Sequence, residues 1–253
     1  MPKAQVNGIE LYYEVHGNGP AVVFAHGAGG NHLSWWQQVP VFASKYQCII
    51  FDHRGFGQSL DVPNGPGGQA FVDDLKHLLE HLGIERVSLV AQSMGGRTCL
   101  GFALAYPERV QALVMADTTG GFSDARMAQL RAEGEAALAE PNPPPRTYAR
   151  HFPQEQPARA FLYGQIHTLN PPRREVSVAG PTAEQVRALQ TPTLLVVGEH
   201  DVIAPPAIMQ MFQSYIPQAR LAEVAGAGHS VYFEKPAEFN RIVLEFFNVA
   251  GAE

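Results

Sequence analysis

The chain holds three residue types whose placement could support nucleophilic catalysis. In "SLVAQSMGGR" (residues 88–97) an apolar run rises to Ser93, and the chain then passes through Met94 into two glycines. A serine at the joint between a buried strand and a helix stands clear of the sheet edge, provided the residues two before and two after it are small. Gly95 is the small residue after Ser93, and Ala91 the one before. A methyl group at 91 is the smallest departure from glycine and leaves that steric logic intact. The helix that follows would turn free N–H groups and a positive dipole end toward a developing oxyanion.

A serine hydroxyl is a weak nucleophile until a base takes its proton, and the base needs a third group to orient it. Of the ten histidines, His77 and His81 lie on an amphipathic stretch where solvation explains them, and His151 and His167 fall in a region of broken rhythm. His229 is different. It sits in "AGAGHSVYFEKP", a glycine-rich loop between the last strand and the closing helix. Loops at the carboxyl ends of parallel strands form the crevice of open α/β sheets, which makes His229 the candidate base. Asp201 follows "TLLVVGEH" at another strand end and is the candidate acid. Asp117, in "VMADTT", also ends a strand and is the alternative; its competing explanation is a turn shared with Thr118 and Thr119.

Positioning these groups needs a sheet, and the hydrophobic pattern supplies one. Residues 9–15 are strand-like and end at the turn cluster "HGNGP". Short continuous apolar runs follow at 21–27, 47–55, 86–92 and 110–119, and the pattern resumes at 191–201 and 219–229. Helical stretches separate them at 34–46 (despite Pro40), 67–83, 94–107 and 205–217, and a last one spans 236–250. Continuous apolar strands alternating with helices imply a parallel sheet buried on both faces. Between 120 and 190 the rhythm breaks. Helical pieces at 125–139, 158–167 and 182–189 alternate with "EPNPPPRTY" and "NPPRREV", and no convincing strand appears. Apolar positions there, such as Phe161, Leu162, Tyr163 and Ile166, need something to pack on, so we expect a cap over a pocket rather than a flexible insertion. The expected organisation is one core domain from 1–119 and 191–253, with a helical cap at 120–190.

With 253 residues, the chain can bury one sizeable core. A formal net charge of −6 and the lack of any Lys/Arg block argue against a nucleic-acid partner. No secretory signal or membrane-length apolar run is visible, and Cys48 and Cys99 sit inside apolar runs as small hydrophobes, so the expected compartment is the cytoplasm. No His/Cys cluster has ligand spacing and "HGAGG" lacks the lysine and spacing of a phosphate loop, so neither metal nor cofactor is expected.

The chain order Ser93, Asp201, His229, with "HGAGG" at 26–30 and "FDHRGFGQS" at 51–59, resembles the α/β-hydrolase family over nearly the whole length. The resemblance implies an α/β fold with a mostly parallel central sheet, helices on both faces and an inserted helical cap. It implies an oxyanion hole made by the N–H groups of Met94 and Ala28, with Gly29 the second choice on that loop. The Asp52–Arg54–Gly55 segment is expected to brace the site rather than react. A serine at 93 sets the chain apart from the dehalogenases and epoxide hydrolases of this fold, which use an aspartate nucleophile. The implied reaction is cleavage of a small-molecule carboxylic ester through an acyl-enzyme. Readings that share the fold are a C–C bond hydrolase or lactonase of ring-cleavage pathways, a cofactor-free haloperoxidase or perhydrolase, and a small-molecule receptor.

Overall fold

The computed structural model describes residues 2–139, 143, 145–172 and 178–250. Eight strands, β1 (Lys3–Val6), β2 (Ile9–His16), β3 (Ala21–Ala25), β4 (Gln47–Phe51), β5 (Val87–Gln92), β6 (Val110–Ala116), β7 (Thr193–Gly198) and β8 (Arg220–Val224), form one sheet. Their order is β1-β2-β4-β3-β5-β6-β7-β8. The pairings of β1 with β2 and of β2 with β4 are antiparallel, and all the others are parallel. The helices are α1 (Val39–Phe42), α2 (Phe71–His81), α3 (Gly95–Ala105), α4 (Ala125–Leu138), α5 (Phe152–Glu155), α6 (Pro157–Thr168), α7 (Ala183–Arg187), α8 (Pro206–Tyr215), α9 (Val231–Glu234) and α10 (Pro236–Ala250). The expected α/β class with a mostly parallel central sheet is what the chain forms.

Alternate residues of each central strand serve opposite faces of the sheet. Val23, Leu89, Met115 and Leu195 join one core with Leu75 of α2, Phe102 of α3 and Ile208 of α8. Val22, Val90, Val114 and Val196 join the other, with Phe42 of α1 and Phe239, Val243 and Phe247 of α10. Both faces are therefore covered, which is why these strands read as unbroken apolar runs.

Three local features differ from the pattern-based expectation. β1 was not anticipated: four residues with alternating burial are too short for a periodic signal. The readable clue was Asn7-Gly8, whose φ values of +45° and +81° form the two-residue turn that pairs Val6 with Ile9. The single helix expected over 34–46 is two pieces, a 3₁₀ turn at His32–Trp35 and α1. The Asn31 side chain caps the first by accepting from Leu33 N, and Pro40, having no N–H, is accommodated only in the first turn of a new helix. Finally, Phe161 is 69 % exposed, whereas Ile166 is buried and Leu162 and Tyr163 pack on the core. The inward face of α6 follows the 162–163–166 spacing, and Phe161 lies on the other side of the helix.

Between β6 and β7 the chain carries α4–α7, with Met127 and Val186 packed into the first core and Phe152 and Ile166 into the second. The segments 140–142, 144 and 173–177 of the expected cap, within "EPNPPPRTY" and "NPPRREV", lie outside the described residues. Among the described residues no helix is long and apolar enough to cross a membrane.

Arg54 ties the antiparallel edge to the parallel body. Its guanidinium is buried and donates to both Asp74 oxygens, at 2.9 and 2.6 Å, to Asp61 Oδ1 at 3.1 Å and to Asn7 O at 2.7 Å. A single residue thus links the β1–β2 turn, α2 and the loop after β4. Removing one partner of a buried ion pair leaves an uncompensated charge. Asp74→Ala is accordingly expected to cost about 3–5 kcal/mol in urea unfolding. Glu80→Ala, which breaks the exposed Lys76–Glu80 pair on the same helix, is expected to leave stability nearly unchanged, because solvent screens that pair. Equal losses in the two variants would contradict the bracing role of Arg54.

Candidate active site

Ser93 follows β5 directly and has φ +49°, a left-handed conformation that a residue with a side chain adopts at a cost of about 1–3 kcal/mol. The surroundings hold it there. Its N–H donates to Ala116 O of the neighbouring strand at 3.0 Å, and its carbonyl accepts from Gly96 N at 2.9 Å as α3 begins. Gly95 is needed because the helix starts against β3: a Cβ at that position would lie 2.2 Å from Ala25 O and 2.7 Å from Ala25 C. Ala91 is fully buried in the ladder opposite Ala25 and Met115, so the sheet accepts its methyl.

The structure brings the three sequence-predicted side chains together. His229 Nε2 lies 2.9 Å from Ser93 Oγ. His229 Nδ1 lies 3.0 and 2.9 Å from the two oxygens of Asp201. An ionised carboxylate only accepts, so Nδ1 is the donor and Nε2 is left to accept the serine proton. Asp201 and His229 are buried, while Ser93 is half-buried. The turn after β7 fixes the carboxylate: Asp201 Oδ1 accepts from Ile203 N at 2.7 Å and from Ala204 N at 3.1 Å.

Asp117, the alternative acid, is not hydrogen-bonded to the histidine. Its two oxygens accept from Gly198 N at 3.1 Å and from Val231 N at 3.2 Å, tying the end of β7 to the start of α9. Burial, followed by the nearby Asp201 charge, pushes the Asp117 carboxyl well above its ordinary range.

Further supports of the histidine loop carry no sequence motif. Gln92 Nε2 donates to His229 O at 2.8 Å. Glu234 Oε1 accepts from Gly228 N at 3.0 Å and Ser230 N at 3.1 Å, and its Oε2 accepts from Ala149 N at 2.8 Å. The signal for Glu234 was only its place, five residues after His229 in a segment that forms the short helix α9.

The "HGAGG" loop turns tightly, with Gly30 N donating to Gly27 O at 3.0 Å. His26, at its start, is buried; its Nε2 accepts from His53 N at 3.0 Å while Nδ1 donates to Gly27 O at 2.8 Å. The N–H groups of Ala28 and Met94, the predicted oxyanion donors, meet no acceptor among the described residues. Both residues line a cleft of about 600 Å³, which also includes Phe56, Phe71 and, from the region between β6 and β7, Pro171 and Val178. The same region bonds to three loops around the cleft. Asn31 Nδ2 donates to Ile166 O at 3.0 Å, Gly57 N donates to Asn170 Oδ1 at 3.0 Å, and Tyr163 Oη lies 3.0 Å from Ser230 Oγ. No group of side chains suited to hold a metal ion occurs among the described residues.

An activated serine, an oriented imidazole and free N–H groups beside a cleft are the parts of an acyl-transfer site. Several known proteins have similar chains. The putative carbamate hydrolase RutD of Azorhizobium caulinodans is 31 % identical over 97 % of this chain and 98 % of its own. The putative non-heme bromoperoxidase BpoC of Mycobacterium tuberculosis is 30 % identical over 94 % of this chain and 98 % of its own. The solved structure of a thermophilic esterase from Thermogutta terrifontis superposes with a TM-score of 0.81 at 27 % identity, covering 98 % of this chain and 97 % of the esterase. A family model for the alpha/beta hydrolase fold matches residues 20–147 and 147–236, and the chain belongs to that family of hydrolases.

Proposed function

We propose that the chain is a serine hydrolase that cleaves a carboxylic ester through an acyl-enzyme. The observation that carries this reading is the continuous run from Ser93 Oγ through His229 to Asp201, with contacts of 2.9–3.0 Å. Ser93 Oγ attacks the acyl carbon as His229 Nε2 takes its proton. The N–H groups of Ala28 and Met94 hold the oxyanion of the tetrahedral intermediate. His229 then gives the proton to the departing alkoxide and the C–O bond breaks, leaving the acyl group on Ser93. Water, deprotonated by the same imidazole, attacks the acyl carbon and releases the acid. Asp201 keeps the proton on Nδ1, so that Nε2 stays the basic nitrogen.

Residues 120–190 act as the cap in this reading, over a core built from 1–119 and 191–253. In support, Pro171, Pro172 and Val178 line the cleft together with core residues. The esterase likeness supports an ester substrate. The relative named as a carbamate hydrolase motivates a second reading, a carbamate, whose carbonyl the same serine would attack.

Turnover of p-nitrophenyl esters of varied acyl length, measured beside lactones, aryl carbamates and a vinylogous diketone acid, tests the substrate class. The ester reading expects measurable ester hydrolysis and one phosphonate adduct on the Ser93 peptide. A diketone acid preferred by orders of magnitude, or an unlabelled Ser93 in active protein, overturns it.

The two aspartates separate by role. Asp201→Asn is expected to keep the fold and lower kcat by about 10⁴, because the imidazole is then held in the wrong tautomer. Asp117→Asn is expected to lower kcat far less, and the reverse result would make Asp117 the acid. Stability gives an independent check. A folded-state pKa raised above the unfolded value means that the native chain holds a proton the unfolded chain has released. The Asp117 contribution to stability therefore falls as pH rises from about 4, the ordinary aspartate value. Asp117→Asn stays neutral throughout, so its unfolding free energy should gain on wild type between about pH 4 and about pH 7. A difference that does not change with pH would contradict the raised carboxyl.

A further inference from the structure

The cleft beside Ala28 and Met94 carries a cation that the proposed chemistry leaves unused. Among the described residues three charged side chains line it: Arg54, Asp61 and Arg97. Arg54 and Asp61 neutralise one another at 3.1 Å, and Asp74 further compensates Arg54. Arg97 has no carboxylate within ion-pair distance among the described residues. Its hydrogen bond there goes from Nη1 to a neutral acceptor, Val178 O, at 2.7 Å.

The position of Arg97 follows from the elbow. It lies three residues after Met94 in the first turn of α3, and residues three apart share a helix face. The guanidinium is housed rather than waving in solvent. It lies over the backbone of Gly121, where a Cβ would come within 2.7 Å of Nη1. A second guanidinium stands close by. Arg131 of α4 donates to Ser123 Oγ at 2.7 Å and Thr119 Oγ1 at 3.0 Å, and burial together with the Arg97 charge pushes it below its ordinary value despite the opposing charge of Asp124. Two guanidiniums held near each other by mostly neutral acceptors repel, and an anion in the cleft would relieve that repulsion. A planar guanidinium matches a carboxylate in geometry as well as charge.

We propose that Arg97 is a specificity-determining residue that selects substrates bearing a carboxylate, which it binds in the cleft beside Ala28 and Met94. The proposal rests on the hydrolase reading above and narrows its substrate class to anionic esters. Arg97 touches the carboxylate and not the scissile bond, so it acts on substrate binding.

The test uses two pairs of esters matched in length. In one pair the acyl chain ends in a carboxylate or a methyl group; in the other the alcohol does. Wild type is expected to prefer the carboxylate member of at least one pair. Arg97→Gln should lower kcat/KM for that member by about 10- to 100-fold, mainly through KM, and leave its neutral partner nearly unchanged. Arg97→Lys keeps the charge without the fork and should retain part of the preference. No preference in wild type, or equal loss on both members of a pair in Arg97→Gln, overturns the proposal; the second outcome is what a role confined to anchoring Val178 would give. Calorimetric titration of glutarate into Ser93→Ala protein separates this proposal from the hydrolase reading. Binding that is lost in the Ser93→Ala, Arg97→Gln double variant supports the anion site even if no ester is turned over. Absence of binding together with indifferent ester kinetics overturns it, while phosphonate labelling of Ser93 would leave the hydrolase reading standing.

Discussion

Everything at the site depends on how closely α3 is allowed to approach β3. The helix begins so near the end of that strand that a single methyl group at Gly95 would strike the Ala25 carbonyl at 2.2 Å. That closeness forces the turn at Ser93 into its left-handed conformation and brings the Met94 N–H to the same cleft as Ala28. The strain is sustained because neighbouring strands hold the turn from the side, through the bond from Ser93 N to Ala116 O. Gly27 meets a similar limit, since a side chain there would collide with Gln92, whose amide also holds the His229 carbonyl.

Around this joint, buried carboxylates serve as acceptors for loop backbone. Asp117 takes N–H groups from the β7 end and α9, Glu234 takes three from the histidine loop and residue 149, and Asp52 takes His32 N and Gln58 N. A loop inside a protein has to satisfy its N–H groups without water, and each of these carboxylates satisfies at least two. For Asp117 and Glu234 burial opposes ionisation and is the leading cause that raises their carboxyls. Asp201 is arranged differently. Both of its oxygens face the imidazole, and one also accepts from its own turn.

The region between β6 and β7 adds shape and charge. α6 and the residues after it bond to Asn31, Gly57 and Ser230, so the loops after β3, β4 and β8 are all tied to this region. This places a lining from one part of the chain against a guanidinium from another. The cleft thereby has a mixed polar and apolar lining, and Arg97, which among the described residues has no carboxylate partner, lines it together with Ala28 and Met94.

The sequence by itself determined the α/β alternation, the elbow at Ser93 and the strand ends that carry Asp201 and His229. These are local properties: unbroken apolar runs mark strands covered on both faces, and small residues mark a turn too tight for a side chain. It left β1 unread, because so short an element has no period of its own. Only the tertiary structure shows which of Asp201 and Asp117, which both end strands, lies against His229. The choice depends on which carboxylate the histidine loop faces, and that loop's position is set by Gln92 and Glu234 from distant or unpatterned positions. The same holds for Arg97. Helical spacing puts it on the face of Met94, but whether its charge is neutralised depends on residues brought from elsewhere in the chain by folding.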